Sequence, residues 1–170
     1  ESADKPAVIL VVGAAGEPEY GEQFSKWADR WTDAERRGQA SVVRIGSDAD
    51  DKVSDHDRLR DALAAAGKSK GPLWLVLIGH GTFDGRQTKF NLRGPDVDAV
   101  ELAGWCQALG RPLAVLDCSS SSGPMLNALS GPERVVVVAT RSGNEKNFAR
   151  FGDYLSAAIG DSSADLDKDG

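Results

Sequence analysis

Two short stretches carry residue types that could act together as a nucleophilic site. In Ile78-Gly79-His80-Gly81 a histidine stands between two glycines directly after an apolar run. Glycines let a backbone approach a ligand closely, and the Gly81 N–H is a candidate oxyanion donor. In Leu116-Asp117-Cys118-Ser119-Ser120-Ser121-Ser122-Gly123-Pro124 a thiol and four hydroxyls follow a second apolar run. A small nucleophile beside a histidine base, with a backbone N–H facing the developing negative charge, is the arrangement for acyl transfer. Each stretch also has a plainer reading. The first is a tight turn with an exposed histidine. The second is a serine-rich turn that caps a helix with a hydroxyl. The successive N–H groups of Ser119–Ser122 could also form an anion-binding nest.

Other polar residues are weaker candidates. Asp84, Arg86, Arg93 and Arg141 fall in loops on the same presumed edge, where they could read a substrate side chain or be solvated loop charges. His56 lies in an acidic stretch and reads as solvated, and Cys106 reads as a core residue. No His/Cys cluster has zinc spacing. The turn after the first apolar run, Gly13 to Gly21, lacks G-x-G-x-x-G, and Glu17 and Glu19 would repel a phosphate there. Neither a Walker A pattern nor a G-x-S-x-G elbow is present.

The elements that would position these groups follow from hydrophobic periodicity. Strands are expected at Ala7–Val12, Ser41–Ile45, Leu73–Ile78, Leu113–Leu116 and Val135–Ala139, with the first and last buried and Leu73–Ile78, the most apolar, central. Helices are expected at Pro18–Arg37, with Phe24, Trp27, Ala28 and Trp31 on one face, and at Asp55–Ala66, Asp98–Leu109 and Asn144–Ile159. The third opens on Asp98-x-x-Glu101, a capping-box pattern, and in the last Phe148, Phe151 and Leu155 face inward. A short helix is expected after the serine run. Apolar strands alternating with helices imply an α/β fold: a three-layer sandwich with a mostly parallel central sheet of five or six strands and helices on both faces. Sites in such sheets gather beyond the carboxyl ends of the strands, where both candidate stretches fall.

The 170 residues suit one domain, placed at 1–160, with an acidic tail at 161–170. No apolar run approaches the ~18 residues of a membrane span. Two cysteines exclude a disulfide-dense scaffold. With 20 basic and 26 acidic residues the net charge is −6, a poor match for nucleic acid. The charge is concentrated: Asp48–Asp57 carries −4 and Asp161–Gly170 carries −3, which leaves the rest near neutral. The tail contains Asp165-Leu166-Asp167-Lys168-Asp169-Gly170, the first half of an EF-hand-type loop, so Asp165, Asp167 and Asp169 are candidate calcium ligands; the alternative is a solvated acidic tail.

The ordered set strand-His80-Gly81, helix, strand-Asp117-x-x-x-x-Ser122-Gly123 resembles the caspase-like peptidase superfamily, which includes caspases, metacaspases and legumains. The stretches from Gly79 to Val97 and from Ser122 to Leu155, and the trailing Ala164–Gly170, look closest to its bacterial legumain/caspase-like group. The resemblance implies a caspase-type sheet, a cysteine–histidine dyad, a peptide or protein substrate and no cofactor for catalysis. It makes His80 the base, and Gly81 N–H with the N–H of residue 120 the oxyanion hole. Counted back from Ser122-Gly123, the nucleophile position is Ser120, where the family carries cysteine.

A serine hydroxyl ionises far less readily than a thiol, so this exchange weakens a site built for thiolate. Four readings follow: a natural pseudo-peptidase, a working Ser–His pair, a cysteine endopeptidase trapped by Cys→Ser exchange, or a local shift that brings Cys118 into the site. A non-catalytic peptide-binding scaffold and a flavodoxin-like phosphate or small-ligand binder remain as alternatives. Similarity to exported proteins implies a secreted or periplasmic location.

Overall fold

The computed structural model describes residues 5–48 and 52–166. Its centre is a five-stranded parallel sheet made of β1 (Ala7–Val12), β2 (Ser41–Ile45), β3 (Leu73–Ile78), β7 (Leu113–Asp117) and β8 (Arg134–Val138), in the order β2-β1-β3-β7-β8. Side chains alternate between the two faces of each strand. In β1, Val8, Leu10 and Val12 pack with Phe24, Trp27, Ala28 and Trp31 of helix α1 (Pro18–Arg37) and with Leu155 of α5 (Phe151–Ala158). Ile9 and Val11 face the other way, toward α2 (Asp55–Ala66), α3 (Ala99–Gln107) and α4 (Gly123–Leu129). Three layers result, as the alternation of apolar strands and amphipathic helices requires.

Local chemistry sets most boundaries. Ser54 caps α2, its Oγ accepting from Asp57 N at 3.1 Å. Asp98 caps α3 by accepting from Val100 N and Glu101 N, both at 2.9 Å. At the start of α2, buried Asp55 accepts two bonds from Arg93, at 2.7 and 2.9 Å; residues 49–51 of the acidic stretch lie outside the described residues. Arg93 is therefore a structural tie between the loop and the helix start. His56 is not solvated either; its ring packs edge-on against Trp105 and its Nε2 lies 3.0 Å from Glu101 Oε2.

Three segments differ from the periodicity. The strand β8, expected to be buried, is a partly exposed edge strand in which Val135 is exposed. Residues 79–98, expected as a loop, form a small antiparallel sheet of β4 (Gly81–Phe83), β5 (Thr88–Phe90) and β6 (Val97–Asp98). Strands of two or three residues are too short to leave an alternation in the sequence. The last helix begins at Phe151 instead of Asn144. Phe148 instead enters a tertiary aromatic cluster with Tyr20, Phe24 and Trp27. Glu145 turns its side chain back to accept from Arg141 N and Ser142 N. These contacts override helix propensity.

The strand order reverses between β1 and β3, the usual ligand crevice of an open parallel sheet. Here the small sheet fills it. Phe90 is fully buried against Gly13 and Gly79. A Cβ on Gly79 would stand 2.9 Å from the Phe90 ring, so glycine is what lets the ring seat there.

Candidate functional site

β3 and β7 are neighbours, with Leu77 paired to Asp117, so the two candidate stretches emerge side by side. His80 leaves the end of β3 half-buried. Tyr20 and Phe24 meet its ring nearly perpendicularly, at centroid distances of 4.8 and 5.1 Å, and Phe148 lies at 6.3 Å. Its Nε2 lies 3.1 Å from the Ala15 carbonyl oxygen. A carbonyl only accepts, so this contact assigns the proton to Nε2 and leaves Nδ1 as the basic nitrogen. Ala15 is thus the group that orients the imidazole. Sequence reasoning did not find it, because a backbone carbonyl leaves no side-chain signature.

Ser120 is 4% exposed. Its Oγ lies 3.3 Å from both Gly81 N and Gly81 O, accepting from the first and donating to the second. The candidate nucleophile and oxyanion donor therefore engage each other, and no hydrogen bond joins Ser120 to His80 among the described residues. Gly81 must be glycine for this approach: a Cβ there would collide with the Ser120 carbonyl and sit 2.9 Å from Ser119 Oγ.

The rest of the serine run is structural. Ser119 N and Oγ donate to Asp117 Oδ1, at 3.0 and 2.6 Å. Asp117 is fully buried, and burial raises its carboxyl from 3.8 to about 6 despite these two bonds. Ser121 N donates to the Glu145 carbonyl, and Thr88 Oγ1 donates to the Ser121 carbonyl at 2.7 Å. Ser122 Oγ accepts from Ala139 N and Thr140 N. Two of the four N–H groups of the supposed nest are therefore already engaged, and the Asp117 carboxyl lies beneath them. This geometry does not favour an anion.

Cys118 is 1% exposed. Burial, reinforced by neighbouring Asp117, pushes its thiol well above the ordinary range. It is not placed as a nucleophile. Cys106 is buried in the core on α3, its thiol pushed up to about 11 by burial.

The candidate substrate readers divide. Asp84 closes the β4–β5 turn by accepting from Arg86 N and Gln87 N, both at 2.8 Å, and these bonds hold its carboxyl below the ordinary range. Arg141 is exposed on the same edge, and among the described residues only its backbone is engaged, through Glu145. Of the tail residues, Asp165 is described, while Asp167 and Asp169 lie outside the described residues. Among the described residues no group of three His, Cys, Asp or Glu could hold a metal ion. No helix is long and apolar enough to cross a membrane among the described residues.

The sequence signal for Asp117 was an acid closing an apolar strand. Glu35 is a further buried carboxyl, besides Asp55 and Asp117, that sequence reasoning passed over, although it extends the stripe of Phe24, Trp27, Ala28 and Trp31 on α1. The chain matches no protein-family model, and no curated protein is significantly similar to it.

Proposed function

We propose that the chain is a caspase/legumain-like peptidase domain whose histidine is in place but whose nucleophile position, Ser120, is not activated, so that it does not hydrolyse peptides as written. The observation that carries this is the pairing of Ser120 Oγ with Gly81 N and O, each at 3.3 Å, while His80 takes the Ala15 carbonyl instead. A base oriented by a third group, next to a buried hydroxyl and a backbone N–H, keeps the parts of an acyl-transfer site. A hydroxyl that is not hydrogen-bonded to the base lacks the step that would make it nucleophilic. Peptides or proteins are the ligand class, and Arg141 is an exposed cationic group on that edge whose side chain has no hydrogen bond or ion pair among the described residues.

The test is cleavage of a mixed-sequence peptide library by the chain, by Ser120→Cys and by His80→Ala. The chain should cleave no faster than His80→Ala, and Ser120→Cys should gain cleavage that a second exchange, His80→Ala, removes. Turnover by the unmodified chain that depends on His80 contradicts the inactive reading. A silent Ser120→Cys that still binds library peptides saturably contradicts the dyad and supports a scaffold.

A further inference from the structure

At the amino ends of the strands, opposite the dyad, lies a cavity of about 610 Å³. That is the size of a small-molecule site. Val8 of β1, Trp74 of β3, Trp31 of α1, Ala40 and Ile159 form its apolar wall. The Trp31 and Trp74 rings are 6.2 Å apart between centroids and tilted by 57°.

Glu35 lines the same cavity, one turn beyond Trp31 on α1. It is 6% exposed, and both of its carboxylate oxygens are buried with no hydrogen-bond partner among the described residues. Buried polar groups are ordinarily satisfied, and an unpaired carboxylate is among the costliest to leave without a donor. Burial pushes this carboxyl up to about 7, against the pull of Arg44. Arg44 is itself engaged, with Asp29 at 2.6 Å and Ser47 at 2.7 Å. Among the described residues the other charged lining groups are Arg37, Asp161 and Asp165, so acids outnumber bases there.

We propose that this cavity binds a small organic ammonium ion, with its N–H donors on the Glu35 carboxylate and its apolar body against Trp31 and Trp74. Each part answers a feature of the wall. A cation satisfies the orphaned oxygens and is attracted to indole faces, and an apolar body displaces water from the tryptophans. The site shares no residue with the dyad and stands whether or not the chain cleaves peptides.

Phenethylammonium, titrated into the full chain, is the probe. Binding should be saturable and should move the indole N–H resonances of Trp31 and Trp74 but not that of Trp105. The neutral analogue 2-phenylethanol should bind at least about tenfold more weakly, as loss of the charged contact requires. Glu35→Gln should weaken phenethylammonium by a similar factor, and His80→Ala should leave it unchanged. Absence of a saturable shift, or equal binding of the ammonium and the alcohol to the unmodified chain, overturns the proposal. That comparison needs no variant, so a folding defect in Glu35→Gln leaves the proposal open to refutation.

Discussion

Asp117 at one end of the central sheet and Glu35 at the other are both deeply buried carboxyls, and they are treated differently. At the carboxyl ends of the strands, Asp117 accepts two hydrogen bonds from Ser119, and the hydroxyls of Ser120 and Ser122 are bonded around it. At the amino ends, Glu35 has no donor among the described residues, and a cavity stands beside it. The end whose residues look reactive in the sequence is the better satisfied one, although Asp117 Oδ2 and Ser121 Oγ are buried there without a hydrogen-bond partner among the described residues. The end with no motif carries a carboxyl with neither oxygen partnered among the described residues. Reactive residue types mark where chemistry could be built, while an unmet polar group inside a cavity marks where a ligand has something to supply.

The largest test of this contrast is Phe90→Ala. If the crevice between β1 and β3 is filled as core, emptying it should cost about 3–5 kcal/mol in urea unfolding. A loss within the range of a surface exchange would show that the small sheet is loosely seated and that the carboxyl end can open like the other.

A smaller effect separates the two carboxyls by pH. The folded chain holds a proton on Glu35 between about 4.5 and about 7 that the unfolded chain releases. Stability from this source is fully present below about 4.5 and is lost as pH rises through about 7. Asp117 acts in the same sense between 3.8 and about 6. Glu35→Gln should match the unmodified chain near pH 4.5 and exceed it by roughly 1–3 kcal/mol at pH 8. Equal stability at both pH values would mean that Glu35 finds a donor in solution, and the contrast between the sheet ends would fail.

The smallest expected effect is that of Asp84→Ala. Because Asp84 closes a turn, the exchange should speed hydrogen exchange at Arg86 N and Gln87 N and leave peptide binding unchanged. Lost peptide binding with unchanged exchange would return Asp84 to the role of substrate reader.

The fold was largely legible because its signals are local. Apolar strands, the α1 stripe and the caps Ser54 and Asp98 each act within a few residues. Phe148 shows where this stops: its helical spacing is real, yet its partners Tyr20 and Trp27 lie over a hundred residues away and pull it out of the helix. Of the candidate site, the closeness of the His80 and Ser120 stretches was legible, and the pairing of β3 with β7 brings their loops together. The contact between Ser120 and Gly81, the Ala15 carbonyl and the exclusion of Cys118 depend on backbone geometry across strands. Glu35 was visible only as a charged residue on an apolar stripe, a pattern that acquires meaning once Trp74 and Val8 close the space around it.

The central claim is that Ser120 is an unactivated hydroxyl. Its most direct test is intact-mass measurement after incubation with a fluorophosphonate, which captures serines activated by a histidine base. The account predicts that the unmodified chain keeps its mass, as His80→Ala does. A stoichiometric adduct mapped to Ser120 and absent from His80→Ala would contradict it and make the pair a working serine–histidine site.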